Sequence, residues 1–322
     1  VSFRTWSDPS TDSEGDEAGA WHARTCCAHE AGTQRLLWLE RGARLRAMHA
    51  SGALVSSGAD HVLACTAHGP VAFGCGPRGR LGLSHEWTEP APCLVPALAG
   101  SRSRIVSVAA GETHSLFVSA EGALFACGCG EYGRLGHGNE EDQLEPRQVD
   151  ALAHTRVLCA SAGSAHSVCV DREGLVWTWG AAGGGRLGHG DVGGAAGDVS
   201  AWQGIAEEDM DEAVDGRGDV ADPRDEGDRY SPTVVRALQC TGVRACAVAA
   251  GEFHTLALGA RGEVFSWGVG MAGRLGLGDE RARARPRRVS ALEGVCVWNI
   301  AAGAVHSAAV GDCGQVWTWG GG

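Results

Sequence analysis

Residues 106–152 read VSVAAGETHSLFVSAEGALFACGCGEYGRLGHGNEEDQLEPRQVDAL, and this phrase recurs along the chain of 322 residues. Close copies occupy residues 157–189, 246–292 and 297–322, and a weaker copy occupies residues 55–98. A period of about 50 residues is typical of propeller blades, because one small sheet cannot bury both of its faces alone. The sequence therefore predicts a repeat protein.

Each copy contains three short β-type runs, a glycine-rich turn, a polar loop and a last apolar run near a proline. In the quoted phrase the three runs are 106–110, 115–119 and 123–127, and the proline is Pro146. This order predicts one four-stranded antiparallel sheet per copy. We expect an all-β fold, a β-propeller of which about four to five blades are present in this chain.

Three short motifs keep their places in the copies: Gly-x-x-His followed by Ser or Thr, Trp-x-Trp-Gly, and Gly-Arg-Leu-Gly. We expect the imidazoles and hydroxyls to satisfy buried backbone groups, the arginines to bind carbonyl groups between blades, and the tryptophans to pack between blades. The predicted structural anchors are Gly111, His114, Gly163, His166, Gly251, His254, Gly303, His306, Arg80, Arg134, Arg186 and Arg274.

In this combination the motifs resemble the regulator-of-chromosome-condensation repeat over roughly residues 51–322. The resemblance implies a β-propeller of the seven-bladed type. An arc of fewer blades leaves an unpaired blade face at each end. We therefore expect either a fragment or a protein whose ring is closed by a partner.

The repeats also divide the chain. Residues 1–20 carry five acidic residues and one arginine, which predicts an acidic disordered tail. Residues 21–54 fit a short helix and an eroded blade equally well. Propeller repeats are expected over 55–322, at 55–98, 106–152, 157–238 with an acidic insert at 191–230, 246–292, and 297–322 as a truncated copy.

The insert at 191–230 holds 13 acidic and three basic residues, a net charge of −10 against −12 for the whole chain. The overall acidity therefore says nothing about the propeller's own surface. The insert is either an acidic tether for a basic partner or a tolerated loop insertion. The candidate partner-binding residues are Glu207, Glu208, Asp209 and Asp211 in the insert, and Arg283 and Arg285 in the basic run of the fourth copy.

Several patterns that suggest chemistry have structural explanations. The motif Gly-x-Gly-x-x-Gly occurs three times after a predicted strand. A dinucleotide site needs a helix directly after this motif, but here a polar loop follows it. Sequential His and Ser on a strand point to opposite faces, so they do not form a base and nucleophile. The adjacent Cys26 and Cys27 lack the usual spacing of zinc ligands. No catalytic residue, metal or cofactor is expected.

The 13 cysteines lie scattered on apolar runs, which favours a reducing, intracellular compartment, cytoplasm or nucleus. The sequence shows no run of apolar residues long enough for a membrane span. Another protein is therefore the expected partner, with no membrane association and no nucleic acid.

Two functions remain open at this point. The first is a non-catalytic protein-interaction propeller, a scaffold or regulatory domain, because no copy carries a unique catalytic cluster while the loop charges vary. The second is a guanine-nucleotide exchange factor for a Ran-like small GTPase, as the resemblance implies. The plant ultraviolet receptor of this family carries Trp after the glycine of Gly-x-x-His, and this chain has none there, so photoreception is not expected.

Overall fold

The computed structural model of the protein describes residues 4–6, 54–100, 104–190 and 227–321. These residues form five four-stranded sheets in which neighbouring strands are antiparallel. The predicted all-β propeller is confirmed, with five blades. A single turn of helix, α1 (Arg236–Cys240), connects two of them.

The first four blades each use four consecutive strands, and the fifth uses three strands and the first strand of the chain. Blade one contains β2 (Val55–Ser57), β3 (His61–Thr66), β4 (Gly69–Gly74) and β5 (Glu89–Leu94); blade two contains β6 (Ile105–Ala110), β7 (His114–Ser119), β8 (Leu124–Gly128) and β9 (Gln143–Gln148). Blade three contains β10 (Val157–Ala162), β11 (His166–Asp171), β12 (Val176–Gly180) and β13 (Arg229–Val234). Blade four contains β14 (Ala245–Ala250), β15 (His254–Gly259), β16 (Val264–Gly268) and β17 (Arg283–Arg288); blade five contains β18 (Val297–Ala302), β19 (His306–Gly311), β20 (Val316–Gly320) and β1 (Arg4–Trp6).

The outer strand of blade five comes from the segment that was expected to be a tail. Strand β1 pairs antiparallel with β20, with Arg4 opposite Thr318 and Trp6 opposite Val316. The rest of residues 1–20 lies outside the described residues, as do residues 21–53 and most of the acidic insert, 191–226.

The hydrophobic core lies between the blades and not within any one of them. Leu63 and Leu81 of blade one pack with Phe117 of blade two, and each following pair of blades encloses a cluster of the same kind. Because the sheets of blades two, three and four each bury both faces against neighbouring blades, the stability of each blade depends on the next one.

Two loop faces follow from the strand directions. The first and third strands of a blade run the same way, so the first-to-second turns and the third-to-fourth loops emerge on one side, here called the loop face. The second-to-third turns and the connections between blades emerge on the opposite face. The Gly-x-x-His turns and the Gly-Arg-Leu-Gly loops therefore all lie on the loop face.

The glycine of the Gly-x-x-His turn marks the closest approach between blades. A Cβ added to Gly111 would lie 2.6 Å from the carbonyl oxygen of Gly163 in the next blade. It would also lie 2.7 Å from Cε1 of His114 in its own turn. Only a residue without a side chain fits between a buried imidazole and the neighbouring backbone.

We therefore expect Gly111→Ala to lower the free energy of unfolding by about 3 kcal/mol or more, since neither the buried ring nor the backbone can move away. Urea unfolding followed by tryptophan fluorescence measures this. The control is Gly242→Ala, where φ is 71° but nothing lies within 4 Å of the added Cβ; strain alone should cost about 1 kcal/mol there. Equal losses in the two variants would contradict the close-approach explanation.

Candidate protein-interaction face

Each Gly-x-x-His histidine of the first four blades contacts a hydroxyl of the following blade. His61 Nε2 lies 2.8 Å from Ser115 Oγ, and the same contact recurs three more times around the arc. The later pairs are His114 with Ser167 at 2.9 Å, His166 with Thr255 at 3.0 Å and His254 with Ser307 at 2.9 Å. A histidine and the serine that follows it in sequence thus contact different blades: His114 contacts blade three, whereas Ser115 contacts blade one.

Each of these hydroxyls also donates a hydrogen bond to a carbonyl oxygen of the preceding blade. Ser167 Oγ donates to the carbonyl oxygen of Arg134 at 2.7 Å, and Trp179 Nε1 donates to the same oxygen at 2.9 Å. The carbonyl oxygens of Arg186 and Arg274 also accept from a hydroxyl and an indole of the next blade. At the Arg80 carbonyl, Cys127 Sγ takes the place of the indole at 3.9 Å. The sequence did not show that the tryptophans are donors to one shared carbonyl.

These contacts fix the protonation of the imidazoles. The single hydroxyl proton goes to the arginine carbonyl, so the imidazole must donate its Nε2 proton to the hydroxyl oxygen. Nδ1 is then the unprotonated nitrogen, and in the four buried histidines it has no hydrogen-bond partner. A hydroxyl whose proton is held by a carbonyl is not activated as a nucleophile by this imidazole.

Burial lowers the pKa of these histidines, and a neighbouring arginine lowers it further. The pKa falls to about 4 for His61 and to about 3 for His254. For His114 and His166 it lies well below the usual value, again because of burial first and arginine second. Protonation would place a charge on a buried nitrogen that has no acceptor beside it.

The motif arginines are buried and point along the loop face. The guanidinium of Arg80 donates to the carbonyl oxygens of Pro77 in its own turn and Glu112 in the next blade. The guanidinium of Arg134 likewise donates to the carbonyl oxygens of Glu131 in its own turn and Ser164 in the next blade. Each arginine therefore links its turn to the following Gly-x-x-His turn. The structure places Arg186 and Arg274 in equivalent positions, and both are buried.

The last histidine differs from the others. His306 of blade five is exposed, although Gly303 N donates to its carbonyl oxygen as in the other turns. Ser307 beside it is buried against blade four. The described residues hold no hydroxyl against the His306 ring.

The loop face carries a large exposed side chain from each of the first four blades. They are Trp87 with 73% exposure, Tyr132 with 42%, Tyr230 with 42% and Met271 with 51%. Trp87 stacks on His85 with 4.8 Å between ring centroids. In the described part of the chain, the second-to-third turns of the opposite face present no large exposed apolar side chain.

The candidate partner-binding residues fall into two groups. Glu207, Glu208, Asp209 and Asp211 lie outside the described residues. Arg283 and Arg285 lie on β17, the outer strand of blade four. The guanidinium of Arg283 is 2.7 Å from Asp279, and its side chain is only 11% exposed. Arg285 is half-buried and lies against Gly190 of blade three.

No cluster of His, Cys, Asp and Glu suited to a metal ion occurs among the residues that the structure describes. Within the same residues no helix is long and apolar enough to cross a membrane. Cys127, Cys129, Cys159 and Cys169 are buried thiols, and burial raises the pKa of Cys127 and Cys159.

Comparison with known proteins agrees with the blade pattern. Family models described as the regulator of chromosome condensation (RCC1) repeat match residues 72–118, 121–170 and 261–310, and also 105–134 and 245–270. The chain belongs to the RCC1-repeat family. Its repeat motifs are therefore those of the family, and the contacts above show what each motif does in this member.

Curated relatives share the repeats but are much longer. The E3 ubiquitin-protein ligase HERC2 of Homo sapiens is 34% identical over 83% of this chain, which spans 5% of that protein. The ultraviolet-B receptor UVR8 of Arabidopsis thaliana is 32% identical over 67% of this chain and 41% of the receptor. The chain thus spans less than half of either relative.

Solved structures show the same fold. The crystal structure of human WBSCR16 matches with a TM-score of 0.61 and 24% identity, over 83% of this chain and 57% of that one. Prp20p from Saccharomyces cerevisiae, whose structure was reported with its binding properties to Gsp1p and histones, matches with a TM-score of 0.58 and 20% identity over 83% and 55%. At these identities the likeness concerns the fold alone.

The buried hydroxyls can be tested one at a time. Ser167→Ala removes the acceptor of His114 and one donor to Arg134, and it leaves buried polar groups unpaired. We expect a loss of about 1–3 kcal/mol in the free energy of unfolding. Ser231→Ala is the matched control, because this serine is exposed on an outer strand and its loss should be below about 0.5 kcal/mol. Urea midpoints that move equally would contradict the assigned bonds.

The buried histidines should lower the free energy of unfolding of the protein in mild acid. Well above pH 6.5, the ordinary pKa of histidine, they are neutral in both the folded and the unfolded state, so their contribution is fully present. As the pH falls from 6.5 toward 4, the unfolded chain binds protons that the folded chain does not, so stability is lost. At pH 5 the loss should be about 2 kcal/mol for His61 and a similar amount for His254.

Urea unfolding at pH 7.5 and pH 5 measures this loss. The control is the double variant His61→Gln and His254→Gln, in which the amides keep a donor but do not titrate. The double variant should be less stable at pH 7.5 but should show a smaller decrease between the two pH values. An identical decrease in both proteins would contradict the assignment to these histidines.

Proposed function

We propose that this chain is a non-catalytic protein-interaction propeller, a scaffold or regulatory domain that binds its partner through the loop face. The observation that carries this proposal is the set of exposed large side chains on one face, Trp87, Tyr132, Tyr230 and Met271. Aromatic residues and methionine are enriched in protein interfaces, and tryptophan and tyrosine are enriched among the residues that dominate binding energy.

The chemistry of the frame also supports a role without catalysis. The recurrent His and Ser residues are used in bonds between blades, with the hydroxyl proton directed to a carbonyl. The glycine-rich turns carry buried arginines and lead to a three-residue 3-10 turn and then a loop, not to an α-helix. A rigid frame with variable loops suits recognition of another protein.

We further propose that the propeller serves as one domain of a larger protein, such as a ubiquitin ligase, and that it is intracellular. The similarity to HERC2, which covers a small part of that ligase, supports the first statement. The buried thiols of the described strands support the second. Ligase activity itself would then belong to other parts of such a protein.

We also propose that this propeller is of the seven-bladed type. The exposed His306 supports it, because an added repeat beside blade five would supply the hydroxyl that the other histidines have. In the protein isolated from its natural source, chemical modification of His306 by diethyl pyrocarbonate should then be as slow as that of His254. Rapid modification of His306 alone would contradict this proposal.

A second candidate is a guanine-nucleotide exchange factor for a Ran-like small GTPase. The fold shared with Prp20p and the place of residues 191–226 in the sequence, between β12 and β13, favour it. The strong negative charge of this insert speaks against contact with nucleotide phosphates. Nucleotide release from a panel of small GTPases can be measured with this chain and with a variant that lacks residues 191–226. Release that the chain accelerates and the variant does not would favour the exchange function.

Site-specific photo-crosslinking tests the interaction function. A photoreactive amino acid at Trp87 or Met271 should capture specific protein partners from cell extract, and excess unlabelled propeller should compete. The control positions are Arg172 and Arg261, exposed on the opposite face. Equal capture from both faces, or capture that unlabelled propeller does not reduce, would contradict a partner-binding loop face.

A further inference from the structure

The boundary between blades two and three presents an exposed tyrosine pair, Tyr132 and Tyr230. Tyr132 lies in the Gly-Arg-Leu-Gly turn of blade two, with φ of 59°. Tyr230 is the second residue of the outer strand of blade three and packs on Gly133, where an added Cβ would lie 2.7 Å from its Cδ1. The ring of one tyrosine therefore lies beside the turn that holds the other, and each is 42% exposed.

Two other boundaries among the described blades lack this pair. At the boundary of blades three and four, Gly184 stands in place of Tyr132 and Ala284 in place of Tyr230. At the boundary of blades one and two, the corresponding residues are Arg78 and Leu144. The frame therefore does not require aromatic residues at these positions, and their presence calls for another explanation.

Two carboxylates, Glu140 and Asp228, lie close to the tyrosine pair, and other acidic residues are exposed in blade two. The exposed acidic residues of these turns and loops are Glu112, Glu131, Glu140, Glu141 and Asp142. The carboxylate of Glu140 accepts a bond from Tyr132 N at 3.0 Å. The same carboxylate raises the pKa of Tyr230, with smaller contributions from burial and from Asp228. Both tyrosines thus have negative charge close to their exposed parts.

The cations of this region neutralise only part of its outer surface. Arg134 and Arg186 are buried; Arg134 lies 5.5 Å from the Tyr132 ring centroid and 3.8 Å from Glu131. Arg78 and Arg229 are half-buried, and Arg78 lies 2.7 Å from Glu131 and 3.3 Å from Asp142. The remaining carboxylates, Glu112, Glu140 and Glu141, face solvent.

We propose that the tyrosine pair and its acidic rim bind a basic, lysine- or arginine-containing segment of the partner protein. Aromatic faces attract ammonium and guanidinium groups, and the surrounding carboxylates add charge complementarity. A nucleic acid does not fit, because its phosphates would meet the same carboxylates. This inference rests on the proposed interaction function and deepens it by naming the surface and the chemistry of its partner.

The test uses two labelled peptides, one with alternating lysine and leucine and its counterpart with glutamate in place of every lysine. Fluorescence anisotropy should show that the chain binds the lysine peptide and not the glutamate peptide. The double variant Tyr132→Ala and Tyr230→Ala should weaken binding about tenfold or more. Alanine is suited to both positions, since Ala272 has φ of 58° in the equivalent turn of blade four and Ala284 occupies the place of Tyr230.

Matched variants separate the surface from the fold. Tyr132→Phe with Tyr230→Phe should keep binding within about twofold, because the aromatic face remains. Glu140→Gln with Glu141→Gln keeps an acceptor for Tyr132 N and should weaken binding and its salt dependence. Gln239→Ala, in the exposed connection between blades three and four on the opposite face, should leave peptide affinity unchanged. Urea midpoints of all variants show that the fold is intact.

Peptide binding tests the basic-segment site, whereas photo-crosslinking tests the proposed interaction function, so the two can fail separately. Equal binding of both peptides, no binding of the lysine peptide, or full affinity in the folded double alanine variant would each overturn the basic-segment site. Photo-crosslinking from Trp87 and Met271 would still report whether the loop face binds a protein. Loss of that capture as well would overturn both.

Discussion

One buried hydroxyl at each blade boundary joins the adjoining blades. Ser167 accepts the Nε2 proton of His114 and gives its own proton to the carbonyl oxygen of Arg134. Both partners belong to blade two while the serine belongs to blade three, so one hydroxyl satisfies a buried ring and a buried carbonyl of its neighbour. Leaving such groups unpaired in the core is costly. The same constraint explains the nearby glycine, whose missing side chain lets Gly111 approach the backbone of Gly163.

This constraint separates the frame from the surface. The motif histidines and arginines are directed into the blade boundaries, where the histidines bond to Ser or Thr hydroxyls of the frame and the arginines bond to main-chain carbonyls. Neither set of bonds depends on the side chains that the loops carry. The loops between the third and fourth strands are then free to differ in charge and shape. Blade two presents carboxylates such as Glu140 and Glu141, whereas the outer strand of blade four is rich in arginine. A constant frame with variable loops suits a family whose members act in different proteins.

The buried arginines also determine the sign of the loop face. Arg134 and Arg186 turn inward to carbonyl groups and aromatic rings, and Arg134 also lies 3.8 Å from Glu131, so neither guanidinium is exposed on the outer surface. The carboxylates around Tyr132 and Tyr230 remain outside. A count of charges along the sequence of blade two would include Arg134 and understate the acidity that a partner meets. Burial, and not composition, gives this face its character.

The sequence by itself determined the repeat, the β class, the four-stranded unit and the absence of a dinucleotide helix, because strand periodicity and glycine-rich turns are local properties. It also indicated that residues such as His114 and Arg134 belong to the frame. Only the tertiary structure showed that Arg4–Trp6 complete blade five, that each hydroxyl bridges a histidine and an arginine carbonyl, and that Tyr230 packs on Gly133 beside Tyr132. These contacts join residues far apart in the chain, and their geometry depends on how one blade packs on the next, which no local pattern encodes.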